Sequence, residues 1–327
     1  MSVDISVEIL PANVSGNAIA GRAPDTDEAR LTVTVVICTR HRSSELRKCL
    51  LAIARQQLMP DEVIVVDNSD GDRATENASR EFNARYLIEP NVGLSRARNL
   101  GLAESKSTIV AFLDDDSVPE SQWLGSLLEP FVDPKVAAVT GEALPPDVQP
   151  ANLEDDSEPA VWFVSNRDKR WFEIAAFGGL GIGANMALRK ETCADGPLFD
   201  VRLGRGGAIG GGEESHAFLT LLSRGFSAAH TSMAIVRHPA KPICLDQEAT
   251  TAIAYWLLLL REFRGHRLEL LRFLFRRLRH KPLYWRRNSP DLGPLVTSNW
   301  QTRFRASLAG LRLHLRSRSS RTDSETD

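Results

Sequence analysis

The chain has 327 residues, 43% of them hydrophobic and 25% charged, with four cysteines and a net charge of -2. That length and balance exclude a mainly disordered chain and leave room for one large domain, or a core domain with an appendage. The charge is uneven: Arg261 to Asp327 holds 16 Lys/Arg against 6 Asp/Glu, leaving 24 against 36 on the rest, so an acidic body carries a basic C-terminal part that either meets something anionic or packs on that body.

The opening MSVDISVEIL is acidic and has no long apolar run, so it does not read as a secretory leader. Residues 1–30 mix Pro, Gly, Asn and Asp and read as a linker, with one short strand over Val3 to Leu10. From residue 31 order is expected. LTVTVVICT (31–39) is β-branched and predicts a strand, and Ser43 to Gln57 predicts a helix with Leu46, Leu50 and Ile53 on one face. EVIVVDN (62–68) predicts a second strand, Arg73 to Phe82 a helix, ARYLIE (84–89) a third strand, and Ser95 to Ser105 a helix. TIVAFLDDD (108–116) predicts a fourth strand ending in three carboxylates. This alternation predicts an α/β fold with a Rossmann-like, mostly parallel sheet flanked by helices, whose ligands bind beyond the carboxyl ends of the strands.

Further on, Pro119 to Leu128 predicts a helix and KVAAVTGE (135–142) a strand, followed by a Pro-rich acidic loop at 144–160. Trp162, Trp171 and Phe172 fall where periodicity assigns nothing, and residues 178–212 hold two glycine clusters. Glu213 to Ser223 predicts a helix, and a strand is expected to end near Val236. Thr250 to His280 predicts one long helix with seven arginines, and SRSSRTDSETD at the end reads as a disordered tail. The expected divisions are therefore 1–30, a catalytic domain at 31–245, a basic helical extension at 246–315 and a tail at 316–327.

No CxxC pair occurs among Cys38, Cys49, Cys193 and Cys244, so neither a zinc site nor a disulfide framework is expected. The longest apolar run, Ala252 to Leu260, is about half of the ~20 residues a bilayer-spanning helix needs. A cytoplasmic location, at most peripheral at the inner face of the membrane, is the expectation. The basic helix at 250–280 suits contact with an anionic membrane surface, a homodimer contact, or packing on the catalytic domain. No nucleic-acid partner is expected, because the tail lacks a recognised module and aromatic interleaving.

Acidic groups cluster at strand ends: Asp67 closes VIVVD, and Asp114, Asp115 and Asp116 close IVAFL. Adjacent carboxylates repel unless a positive group lies between them, and hard cations such as Mg²⁺ or Mn²⁺ take such oxygen ligands together with phosphates. A bare acidic triplet is better explained by helix capping or a solvated acidic turn, but the strand context and Asp67 reverse that preference. Glu213 and Glu214 open a predicted helix and, taken alone, read as a favourable charge pair at its N-terminus.

VVICTRHRSSEL (35–46), EVIVVDNSDGD (62–72), NVGLSRARNLGL (91–102) and IVAFLDDDSVPESQWL (109–124) together resemble the successive motifs of family 2 glycosyltransferases, which have the GT-A fold. The resemblance continues through GIGANMALRK (181–190), GPLFDVRLGRG (196–206), GGGEESHAFLTLLSRGF (210–226) and VRHP (236–239), covering about residues 31 to 240. It implies an inverting glycosyltransferase, of hexosyl or related type, that uses Mn²⁺ or Mg²⁺. The donor would be a nucleotide-diphosphate-sugar, and the acceptor a hydroxyl on a glycan, a lipid-linked glycan or a small molecule. By the same resemblance Thr39, Arg42, Asp67, Arg98, Asp114 and Asp115 bind the donor. Asp116 and His238 hold the metal, and Glu214, with Glu213 beside it, is the base. The family usually carries Glu-Asp where this chain has Glu-Glu. That difference supports an alternative: a catalytically weak nucleotide-sugar-binding relative acting as a partner subunit. A nucleotidyltransferase would carry a Gly-rich loop after its first strand, and CTRHRSSEL has no glycine.

Overall fold

The computed structural model describes residues 31–148, 160–239, 245–279 and 309–312. The strand expected at Val3 to Leu10, most of the acidic loop after 148, residues 280–308 of the extension and the terminal tail lie outside the described residues.

The chain alternates as predicted at first: β1 (Val33–Thr39), α1 (Ser43–Ile53), β2 (Glu62–Asp67), α2 (Arg73–Glu81), β3 (Arg85–Ile88), α3 (Leu94–Glu104) and β4 (Ile109–Asp114). A short β5 (Val118–Pro119), α4 (Trp123–Leu128) and β6 (Val136–Leu144) follow. After the undescribed loop come β7 (Val161–Ser165), α5 (Trp171–Ala176), β8 (Asn185–Arg189), α6 (Glu213–Ser223) and β9 (Ser227–Arg237). The C-terminal elements are α7 (Leu245–Glu262) and α8 (Arg267–Arg279).

All nine strands join one sheet in the order β3-β2-β1-β4-β8-β6-β9-β5, with β7 also pairing β9. β3, β2, β1, β4, β6 and β9 run in one direction, while β8, β5 and β7 run against it. The sheet is buried on both faces. Val35, Ile37, Val65, Ala111 and Leu113 pack against α1 and α4, whereas Val36, Ile64, Val66, Val110 and Phe112 pack against α3, α5, α6 and α7. Alternation along each strand divides the side chains between the two layers. Leu46, Cys49, Leu50 and Ile53 are all buried on α1, at the spacing a single helical face requires.

Four elements escaped the sequence pattern: β7, α5, β8 and the short β5, which takes Pro119 so that the helix expected from there starts only at Trp123. β8 is short and buried at every position, so its NMALR shows no alternation to detect. The helix predicted across 250–280 is not continuous. It breaks at Phe263, whose backbone leaves the helical region (φ -99°, ψ 61°), and resumes after a single 3₁₀ turn at Arg264–His266. That turn contains Gly265, the residue type most costly to hold in a helix interior apart from proline. Ala254, Tyr255, Leu258 and Leu259 of α7 are buried in the same core as the sheet, so this helix is part of the domain's packing. No helix among the described residues is long and apolar enough to cross a membrane.

Candidate active site

Parallel strands in register bring their carboxyl ends to one edge. Thr39 sits beside Asp67 across β1 and β2, and Cys38 beside Asp114 across β1 and β4. The DDD run leaves β4 at this edge, and the chain of β9 returns to it at His238. The His238 backbone N–H donates to the Leu144 carbonyl at 2.8 Å, which fixes where the imidazole emerges.

The carboxylates are already distributed among partners. Asp115 is buried, accepting from the Thr39 hydroxyl at 2.7 Å and from Arg42 at 2.7 Å. The second arm of the same guanidinium reaches Asp116 at 3.0 Å. Burial pushes the Asp115 carboxyl up to about 6, even though Thr39 and Arg42 both pull it down. His238 Nε2 lies 3.2 Å from Asp116 and 3.6 Å from Asp114. One ligand atom each from Asp114, Asp116 and His238 falls within 4.8 Å of the others. Two hard carboxylate oxygens and one imidazole nitrogen form a donor set that suits Mn²⁺ or Mg²⁺, with positions left for water or phosphate oxygens.

Arg98, on α3, is 3% exposed. Its guanidinium bridges Glu213 at 2.8 Å and Asp114 at 3.4 Å. A Cβ on Gly183 would lie 2.5 Å from the Arg98 guanidinium, so only glycine lets the 178–183 segment cover it. Burial opposes the charge on Arg98, but Glu213 and Asp114 outweigh that opposition and keep it protonated. This arginine therefore joins the strand edge to the N-terminus of α6 from beneath, rather than facing an open cleft.

Glu213 and Glu214 begin α6 after Gly212, which adopts a left-handed conformation (φ 87°). Glu213 is buried against Arg98, while Glu214 keeps partial access to solvent. Burial and then repulsion from Glu213 raise the Glu214 carboxyl well above the usual carboxylate range, and Arg98 only partly offsets this. A carboxylate held in this way is a strong base once it has lost its proton.

Asp67 is fully buried. It accepts from the Ser69 hydroxyl at 2.7 Å, the Asp72 amide at 2.7 Å and the Tyr86 hydroxyl at 2.6 Å. Asn68 bridges the Glu89 and Asn91 carbonyls and receives the Gly93 amide, shaping the approach to α3. Trp162 lies tilted over His230, with ring centroids 5.6 Å apart, and is packed on the core.

Several residues around this site were not singled out from the sequence. Tyr255 of α7 packs its ring against Gly212, where an added Cβ would approach the ring to 2.9 Å. Its buried hydroxyl has no hydrogen-bond partner among the described residues. Burial, and then Glu214 and Glu213, push that phenol well above its ordinary value. Nearby, Glu262 accepts from Arg202 at 2.6 Å and faces His216 Nε2 at 3.1 Å, and Arg202 Nε also holds Asp200 at 2.9 Å. Asp200, His216 and Glu262 stand as close together as metal ligands would, but the Arg202 guanidinium already supplies the positive charge. The group works as a clamp from α7 to the segment preceding α6. Burial alone would raise the Glu262 carboxyl, yet hydrogen bonds from His216 and Arg202 hold it down at about 2. Nothing in local sequence pairs residues 60 positions apart, so this contact had no sequence signal.

Residues 34–195 match the family described as glycosyl transferase family 2. The glycosyltransferase AglE of Haloferax volcanii is 28% identical over 222 residues, which are 64% of this chain and 67% of that protein. The pre-mycofactocin glycosyltransferase of Mycobacterium tuberculosis is 36% identical over 126 residues, 37% of this chain but only 25% of that protein. Among solved structures, the mannosyltransferase PcManGT from Pyrobaculum calidifontis, in complex with GDP-Man and Mn²⁺, superposes with a TM-score of 0.53 at 17% identity. That superposition covers 89% of this chain and 76% of the other. The likeness places the fold among GT-A glycosyltransferases.

Proposed function

Because this chain belongs to glycosyl transferase family 2, we propose that it moves a sugar, with inversion, from a nucleoside-diphosphate sugar to a hydroxyl acceptor, assisted by a divalent cation. The observation that carries this reading is the convergence of Asp114, Asp116 and His238 at one strand edge, joined through Arg98 to the helix that bears Glu213 and Glu214. A cation held there would neutralise charge developing on the departing diphosphate.

The chain's own residues supply the rest. Thr39 and Arg42 hold Asp115, and Arg42 also reaches Asp116, so the acidic loop is set before a ligand arrives. Asp67, held by Ser69, Asp72 and Tyr86, sits at the same edge as the nucleotide-binding carboxylate. Arg98 acts on the donor indirectly, by fixing Asp114. Glu214 takes the acceptor hydroxyl proton as that oxygen bonds to the anomeric carbon. The bond from that carbon to the phosphate oxygen breaks on the opposite face, and the nucleoside diphosphate leaves with the electron pair. One displacement inverts the centre without a covalent enzyme intermediate.

The Glu-Glu pair in place of Glu-Asp keeps a second reading in view, a binding subunit with weak turnover. Slow release of free sugar from the donor, lost in Glu214→Gln, separates the two. A thermal-shift series of nucleoside diphosphates with and without Mn²⁺ tests the site itself. Stabilisation should need the metal and disappear in Asp116→Ala. Metal-independent stabilisation, or an unchanged response in the variant, would remove the cation from the reading.

A further inference from the structure

We propose that the outward face of α8 docks this protein on an anionic membrane surface. α8 is apolar on two sides. One side is buried: Leu270 and Phe273 are 0% and 3% exposed, and the Phe273 ring stacks on Phe177 at 4.1 Å. The helix is therefore anchored to the domain just beyond α5. The other side carries Leu268 and Leu271, exposed at 68% and 50%. They stand three residues apart and so share a face.

Arginines flank these leucines along the chain, Arg267 donating its Nε–H to the Leu260 carbonyl at 2.8 Å. Arg264, Arg267 and Arg272 are all exposed, while Glu269, the one acidic residue on this stretch, faces His266 at 3.0 Å. The sequence continues with the same mixture, FLFRRLR, and the whole segment from Arg261 onward is strongly basic. Exposed leucines flanked by arginines suit the headgroup boundary, where apolar side chains enter the acyl layer and guanidinium groups meet lipid phosphates. A second copy of this chain fits less well, because it would bring the same arginines against each other around a small apolar contact.

The placement has a consequence for the acceptor. α8 packs on α5, and the chain leaving α5 runs through 178–183 to Gly183, which lies against Arg98. The buried side of α8, opposite the docked face, is thus linked to Arg98 through α5 and one short segment. On the glycosyltransferase reading, this arrangement serves a hydroxyl acceptor anchored in the same leaflet.

The test is co-sedimentation of the full chain with vesicles of phosphatidylcholine alone, or with about a third phosphatidylglycerol. Binding to the anionic vesicles should be at least about tenfold tighter than to the neutral ones and should fall with added salt. Leu268→Glu with Leu271→Glu should weaken binding by about tenfold or more. Both positions are exposed, so folding is checked by an unchanged melting temperature, and oligomeric state by light scattering. No preference for anionic vesicles, an undiminished double variant, or a wild-type dimer that the double variant makes monomeric would overturn the proposal. Thermal shift by nucleoside diphosphate without vesicles tests the glycosyltransferase reading separately.

Discussion

Replacing Arg98 by Met should unbalance the whole site. The guanidinium is 3% exposed and lies 2.8 Å from Glu213 and 3.4 Å from Asp114. Met fills much of the same volume, so the loss is chiefly one of charge and hydrogen bonds. Glu213 would be left buried beside Glu214, and Asp114 beside two further aspartates, without their shared cation. Removing one partner of a buried ion pair costs about 3–5 kcal/mol. At roughly 2–4 °C per kcal/mol for a large domain, the melting temperature should fall by about 6–20 °C. Part of that loss should return in Arg98→Met with Glu213→Gln, because the second change removes the stranded charge; the coupling should be about 1–3 kcal/mol in a double-mutant cycle. Differential scanning calorimetry at neutral pH measures both. A single variant that melts within about 2 °C of wild type, or two changes that simply add, would refute the bridge between the strand edge and α6.

Three more expectations follow from the same geometry. Glu214 binds its proton more tightly folded than unfolded, where its value is 4.5, so this group favours the fold in acid and loses that contribution as pH climbs through about 8. Glu214→Gln should therefore raise the melting temperature near pH 9 and leave it unchanged near pH 4, while abolishing transfer and retaining donor binding. A variant that melts identically to wild type at both pH values would show that burial does not raise this carboxyl. Glu262→Gln should cost about 1.5–3 kcal/mol near neutral pH. Because the Glu262 carboxyl is held down at about 2 against 4.5 unfolded, that cost should shrink as acid approaches about pH 2; urea titration at several pH values reads it. His238→Ala should weaken the Mn²⁺-dependent thermal shift by about 10–100-fold in metal concentration, and an unaltered metal titration would take His238 out of the donor set.

The Rossmann-like half was legible because its strands are covered on both faces. Continuous Val and Ile runs such as VVIC and VIVVD announce such strands, and each ends in the polar residue that reaches the ligand edge. The opening of α6 at Glu213 was legible from the charged pair after a glycine run. β7, α5 and β8 were not, since elements of five or six residues are too short to show a period, and β8 is in addition buried at every position. The break at Phe263 was also hidden, because arginines on either side continue the amphipathic spacing through the turn.

What this sequence determined alone is local: which segments extend or coil, and which carboxylates close them. Only the folded chain decided how those charges share partners. Arg98 under Gly183, Arg42 across two aspartates, and Glu262 reaching Arg202 from α7 all join residues far apart along the chain. Coulomb attraction in a site that excludes water is strong enough to select such pairings, but it acts through distance in space, which the order of residues does not record.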